Sequence, residues 1–236
     1  MNDVYFASGV IACIENKLLS RARIDELRGA KSYPALRELL TGTEYADMDL
    51  NKTEQIFFSQ LRSLAPDLYD FFAIRLEMHD ARIAYRLLTG ELEEEEAEDL
   101  FFVRENPGRL EAVGDFIEKD FPFERIDRYH FIDAYRKYEK IDVVREVLGV
   151  EADYFNTRIF LRTGKRDLEI MLPFGVIREG INFSNLEEKK EAEIERKLEA
   201  QRFYTVGYAP VFRYFYRKTK EIEEVREIIT LKRAGL

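Results

Sequence analysis

Cysteine and histidine, two residues typical of nucleophilic catalysis, are scarce in this chain. Its 236 residues include one cysteine, Cys13, and two histidines, His79 and His130. A cysteine beside a histidine can serve as a nucleophile with its general base. Cys13, however, falls within a predicted first helix that should bury a stripe of apolar residues at steps of four, namely Phe6, Val10, Ile14 and Leu18. We therefore expect Cys13 to be a buried, unreactive residue, and we predict no catalytic residue.

The patterns of metal and nucleotide sites are also missing from the sequence. Asp127 precedes His130 by three positions, but a di-iron bundle needs two Glu-x-x-His pairs on facing helices. A zinc site would lack ligands, because histidine and cysteine are so scarce. No glycine pair at the spacing of a phosphate-binding loop is followed by lysine and serine or threonine. The sequence thus predicts no cofactor, no metal and no direct nucleotide binding.

One polar pattern occurs three times along the chain. Each copy has an acidic residue, a polar residue three positions later and an arginine two positions after that. Apolar residues at helical spacing accompany the first two copies. A single triplet could be the solvated face of a helix, but the recurrence favours an internal repeat. The candidate structural or contact residues are Glu77, Asp80, Arg82, Asp153, Asn156, Arg158, Glu221, Glu224 and Arg226.

Helix-ending and capping residues divide the rest of the chain into helices. Ser20 and Gly29 bracket a short helix, and Gly164 follows the second triplet. No stretch alternates in the way of a β-strand. The predicted fold class is all-α, with helical bundles in pseudo-threefold, funnel-like repetition. The predicted domains are a first bundle at 1–104, a compact central bundle at 105–166 and a C-terminal helical unit at 167–236.

Composition restricts the possible partners. The net charge is -9, which argues against nucleic acid as a ligand, although the stretch 213–220 is rich in basic and aromatic residues. No apolar run approaches the roughly 20 residues of a membrane span. A single cysteine suits a reducing compartment, so we expect a cytoplasmic protein.

Several segments, taken in order, resemble one known family. They are the start at 5–8, the stretch 39–45, the helix around 76–86, the turn Leu172-Pro173-Phe174-Gly175 and the close at 221–236. Together they are similar to the AC39 family, the C-type subunits of the archaeal and bacterial V/A-type ATPases, whose eukaryotic counterpart is the vacuolar d-type subunit. This chain would be a shortened member, compressed at about 105–148.

The resemblance implies a non-catalytic function. Such a subunit is a socket that sits on the membrane ring of proteolipid subunits and receives the central-stalk subunits D and F. It would transmit torque during ATP-linked proton or sodium transport, peripheral on the cytoplasmic face of the membrane, and be a monomer when isolated. Two alternatives stay open from the sequence: a generic all-helical adaptor that binds another protein, and an enzyme that uses clustered carboxylates.

Overall fold

The computed structural model describes residues 4–90 and 124–235. Within these ranges the chain forms α-helices and no β-strand, which confirms the all-α prediction. The helices are α1 (Val4–Ile14), α2 (Arg21–Arg28), α3 (Tyr33–Leu40), α4 (Leu50–Leu64), α5 (Tyr69–Leu88), α6 (Glu124–Tyr138), α7 (Asp142–Thr163), α8 (Leu186–Ala200) and α9 (Tyr208–Arg233). In this part of the chain no helix combines the length and the apolar character needed to cross a membrane.

The chain forms two compact units. We call them the terminal unit, Met1–Tyr69 with Gln201–Leu236, and the central unit, Asp70–Ala200. The predicted C-terminal unit at 167–236 is divided between them, because α8 packs on α7 whereas α9 packs on the N-terminal helices. The first predicted boundary, between residues 104 and 105, lies outside the described residues and stays a prediction.

Helix α9 is the centre of the terminal unit. Helices α1, α2, α3 and α4 all pack against it. Its buried apolar residues recur at helical spacing over five turns, and they include Val211, Phe215, Ile222, Val225 and Ile229. Every residue from Pro210 to Tyr216 is also buried, so this part of the helix needs neighbours on all sides, and the N-terminal helices provide them.

Helix α7 has the same position in the central unit, where it packs against α6 and α8. Val144, Val147 and Ala152 are almost completely inaccessible to solvent. Gly164 ends α7 in the left-handed conformation, with φ 68°. The predicted helix end at Gly164 is confirmed.

The sequence prediction of which face of α1 is buried was wrong. Cys13 is an exposed free cysteine, and Phe6 is 68% exposed. The buried face consists of Ala7, Ser8 and Ile11 instead. At 100° per residue, Phe6 lies about 150° from the centre of the face that Ala7, Ser8 and Ile11 form, so the predicted stripe begins on the opposite side of the helix. Cys13 is seven positions after Phe6 and therefore shares the exposed face with it.

Candidate functional site

The third predicted triplet begins with Glu221, which lies on α9 with its side chain 5% exposed. One carboxylate oxygen accepts hydrogen bonds from the Tyr45 hydroxyl at 2.6 Å and the Lys218 ammonium at 2.5 Å. The other accepts from the backbone N–H of Leu19 at 2.5 Å. Lys218 also bonds the Glu44 carboxylate, and it lies 3.0 Å from the Tyr45 hydroxyl oxygen. We call Glu44, Tyr45, Lys218 and Glu221 the Glu221 cluster.

Burial determines the protonation of the phenols at this cluster. It raises the pKa of Tyr45 well above the usual value, and the negative charge of Glu221 raises it further. Burial, with the charges of Glu44 and Glu221, also raises the pKa of Tyr214 to about 12. Tyr45 therefore stays protonated at neutral pH and can donate to Glu221. Both oxygens of Glu221 already have partners inside the protein, so the carboxylate serves as a structural tie.

The two later residues of this triplet join α9 to other helices of the terminal unit. Glu224 lies 3.2 Å from a guanidinium nitrogen of Arg21 and 3.6 Å from one of Arg28, both on α2. Arg226 lies 2.7 Å from the Glu54 carboxylate on α4. Burial raises the pKa of Glu54, while the Arg226 charge opposes the shift. All three predicted residues on α9 thus make polar contacts to distant parts of the chain.

The second triplet lies on α7, and its middle residue is Asn156. The buried amide nitrogen donates to the carbonyl oxygens of Leu172 and Gly175, at 2.9 Å each. The amide oxygen accepts from the backbone N–H of Leu172 at 2.7 Å. One side chain therefore satisfies three backbone groups of the turn at 172–175.

The neighbouring positions on α7 hold the chain that follows this turn. Asp153 accepts from the backbone N–H of Val176 at 2.7 Å and pairs with the Arg178 guanidinium at 2.6 Å. The Thr157 hydroxyl accepts from the backbone N–H of Arg178 at 2.8 Å. We call Asp153, Asn156 and Thr157 the α7 clamp. It fixes the irregular chain at 172–178 against the helix.

The clamp requires a glycine in the loop. A Cβ atom at Gly175 would lie 2.7 Å from the backbone carbonyl carbon and oxygen of Ala152 and 2.8 Å from the Asn156 amide nitrogen. These distances are shorter than real Cβ contacts. Gly175 thus lets the turn approach the backbone of α7 closely enough for Asn156 to bridge it.

The remaining predicted residues are Arg158 of the second triplet and the whole of the first triplet. Arg158 pairs with Glu187 on α8, but both side chains are about half exposed, at 52% and 53%. The first triplet, Glu77, Asp80 and Arg82, falls in α5, and its side chains lie outside the described residues. The threefold repeat therefore stays a prediction.

The two described copies nevertheless share one feature at their first position. Asp153 and Glu221 are both buried, and each accepts a hydrogen bond from a backbone N–H of a distant segment. Each also pairs with a cationic side chain, Arg178 or Lys218. The acid of each triplet is thus an anchor for another segment and does not belong to a solvated face.

Sequence reasoning missed the partners of these residues. Four partner residues were not singled out as site residues, because their partners lie on distant segments: Tyr45, Glu44, Arg178 and Thr157. One signal was available for Lys218: it stands three positions before Glu221, the spacing of a helical ion pair.

No metal site accompanies either cluster. Residues 4–90 and 124–235 contain no group of three or more histidine, cysteine, aspartate or glutamate side chains that could hold a metal ion. No protein-family model matches the chain, and no curated protein is significantly similar to it.

Proposed function

We propose that this chain is a non-catalytic central-stalk subunit of a rotary V/A-type ATPase. In this role it is a socket between stalk subunits D and F and the membrane proteolipid ring, and it transmits torque during ATP-linked proton or sodium transport. It is a cytoplasmic protein, held peripherally at the membrane through the complex. It needs no cofactor and binds neither nucleotide nor nucleic acid.

One observation carries the proposal: two of the segments that resemble the family, 39–45 and the turn at 172–175, are held by residues of the two described triplets. Tyr45 ends the resembling stretch 39–45 and donates to Glu221 in the resembling C-terminal segment. The resembling turn at 172–175 is held by Asn156, and Val176 just after it is held by Asp153. The resembling segments therefore include residues whose contacts stabilise the fold, and they are not only leucine-rich helices.

Mechanical coupling requires that each unit resist deformation, and the anchors supply this resistance. Helix α9 has 26 residues, about 39 Å of continuous helix, and polar contacts connect it to α2, to α4 and to the segments at 18–19 and 44–45. The α7 clamp likewise leaves three backbone groups of the 172–175 turn satisfied by one side chain. Several contacts thus hold each of these segments in place, as a rigid spacer that transmits force and catalyses no reaction requires.

The test is a pull-down of the full chain by the recombinant D and F pair of the same organism. We expect stoichiometric capture, with an unrelated helical protein of similar net charge as the negative control. Failure of the D and F pair to retain the chain, while the chain is folded and monomeric, would contradict the proposal.

A second measurement tests the route to the membrane. The chain should stay in solution with anionic liposomes and co-sediment only when they carry the proteolipid ring, because a net charge of -9 opposes direct attraction to anionic lipid. Co-sedimentation with bare liposomes would overturn the predicted contact with the ring.

A further inference from the structure

A groove with a volume of about 540 Å³ runs along one face of α6 in the central unit. Its lining includes three arginines, Arg125, Arg128 and Arg136, with Tyr129 and Ile132 between them. These positions recur at steps of three and four residues, so they form one stripe on the helix. A volume of this size is ordinary for a ligand-binding cleft.

Two of the three arginines have no acidic partner in the described part of the chain. Arg125 pairs with Glu169, and Arg128 uses its Nε to donate to the Met171 carbonyl oxygen at 3.1 Å. Among residues 4–90 and 124–235, no carboxylate lies within salt-bridge distance of Arg128 or Arg136. A guanidinium group offers five N–H donors, so both side chains keep donors for a ligand.

The lining also contains the acids Asp133 and Glu169, which leaves the groove with one net positive charge. These carboxylates would repel a dense polyanion, and the chain's net charge of -9 would oppose it at longer range. A peptide has both kinds of group, since its carboxylates fit the arginines and its backbone N–H groups can donate to the two acids. Charge complementarity therefore favours an acidic peptide over a nucleic acid.

The dimensions agree with this choice. Arg125 and Arg136 are eleven residues apart, which is about 16 Å along the helix. An extended peptide of about five residues covers that length. Tyr129 and Ile132 give its apolar atoms a surface between the charges.

We propose that the α6 groove binds an acidic peptide segment of a partner protein, with Arg128 and Arg136 pairing with its carboxylates. This site is separate from the coupling function proposed above. It can be tested on the isolated full chain, so its failure is distinguishable from failure to bind the stalk.

The experiment measures fluorescence anisotropy of a short labelled peptide titrated with the protein at low ionic strength. The peptide has two glutamates four positions apart and alanine elsewhere, and we call it the diglutamate peptide. The same peptide with glutamine in place of both glutamates is the neutral control probe. The R128Q/R136Q variant should weaken binding of the diglutamate peptide by at least about tenfold, because two charge-assisted contacts are lost. The control variant R145Q/R196Q removes the same charge from exposed arginines whose ion pairs lie within their own helices, and it should weaken binding by less than about threefold.

Arg128 also contacts the loop backbone, so the single variant R136Q, at an exposed position, is included to separate binding from folding. It should weaken binding on its own while leaving the circular dichroism spectrum unchanged. The proposal is overturned if wild-type protein does not bind the diglutamate peptide, if it binds the glutamine control equally well, or if both double variants lose the same affinity. Tighter binding of single-stranded DNA than of the diglutamate peptide would also overturn it and would assign the groove to nucleic acid.

Discussion

The α7 clamp and the Glu221 cluster both hold a distant segment against a long central helix through a buried acid. They differ in the groups that contact that helix. In the central unit an amide, Asn156, makes three bonds to backbone groups, and the arginine partner of Asp153 is more than a third exposed. In the terminal unit the bonds to Glu221 come chiefly from side chains, and its ammonium partner Lys218 is only 6% exposed.

This difference predicts which kind of substitution destabilises each unit. The clamp depends on geometry, because an amide must reach three fixed backbone atoms. The cluster depends on charge, because a buried carboxylate and a buried ammonium are costly when either stands alone. Isosteric and truncating substitutions should therefore affect the two sites differently.

The largest effect is expected for Glu221→Ala. It removes the shared partner of Lys218, Tyr45 and the Leu19 N–H, and it should lower the free energy of unfolding by about 4 kcal/mol. Urea denaturation followed by circular dichroism measures this. Glu221→Gln keeps the shape but not the charge, so retention of full stability by that variant would show that charge is not what matters here.

Asn156→Ala should be next, with a loss of about 3 kcal/mol, because the Leu172 N–H and two carbonyl oxygens lose their partner in a buried place. The same denaturation assay applies, together with faster amide exchange at Leu172. Asn16→Ala is the matched control, since Asn16 is exposed and has no side-chain hydrogen bond within the described residues. Equal losses in the two variants would remove the basis for the clamp.

Gly175→Ala tests the geometry of the clamp without removing any of its polar groups. The added methyl would collide with the Ala152 backbone, and we expect a loss of about 2 kcal/mol. Gly149→Ala is the control of opposite sign: it lies within α7 with open space around its Cβ position, and it should gain about 0.5 kcal/mol. A neutral Gly175→Ala variant would mean that the turn can move away from α7.

A pH titration tests the phenols beside the Glu221 cluster. The pKa of Tyr214 is raised from its ordinary 10.0 to about 12, so the folded state keeps a proton that the unfolded state loses. Stability from this group is complete below about pH 10 and falls as the pH rises toward about 12, by up to about 1.4 kcal/mol per pH unit. Tyr214→Phe should make this alkaline decline shallower but not abolish it, because the pKa of Tyr45 is raised too, whereas Tyr204→Phe, at an exposed position, should leave the decline unchanged. An unaltered slope in Tyr214→Phe would rule out its part in the decline.

The smallest effects are expected for the arginines that end the two triplets. Arg226 is 33% exposed and pairs with the mostly buried Glu54, so Arg226→Ala should cost about 1 kcal/mol. Arg158→Ala should cost less than about 0.5 kcal/mol, because that pair is half exposed. Equal costs at both positions would support equivalent arginines in the predicted repeat, and thermal denaturation of the two variants against wild type measures the difference.

Local sequence signals were sufficient for the helices. Ser20 accepts from the Arg23 N–H at the start of α2, and Gly164 ends α7, as their types and positions predict. These features depend on neighbours within one helical turn, which the sequence displays directly. The prediction for α1 was wrong because several faces of a short apolar helix fit the same residues, and only its packing neighbours choose among them.

The sequence by itself determined that the chain is helical, that Ser20 and Gly29 bracket α2 and that α7 ends at Gly164, and that Asp153, Asn156 and Glu221 belong to a recurring polar pattern. The tertiary structure alone decided what those residues contact. It brought Tyr45 to Glu221 across 176 positions and Val176 to Asp153 across 23. Helix propensity and capping are local free energies, whereas burial of an acid becomes tolerable only when packing brings donors from elsewhere in the chain. The identity of those donors is therefore a property of the fold.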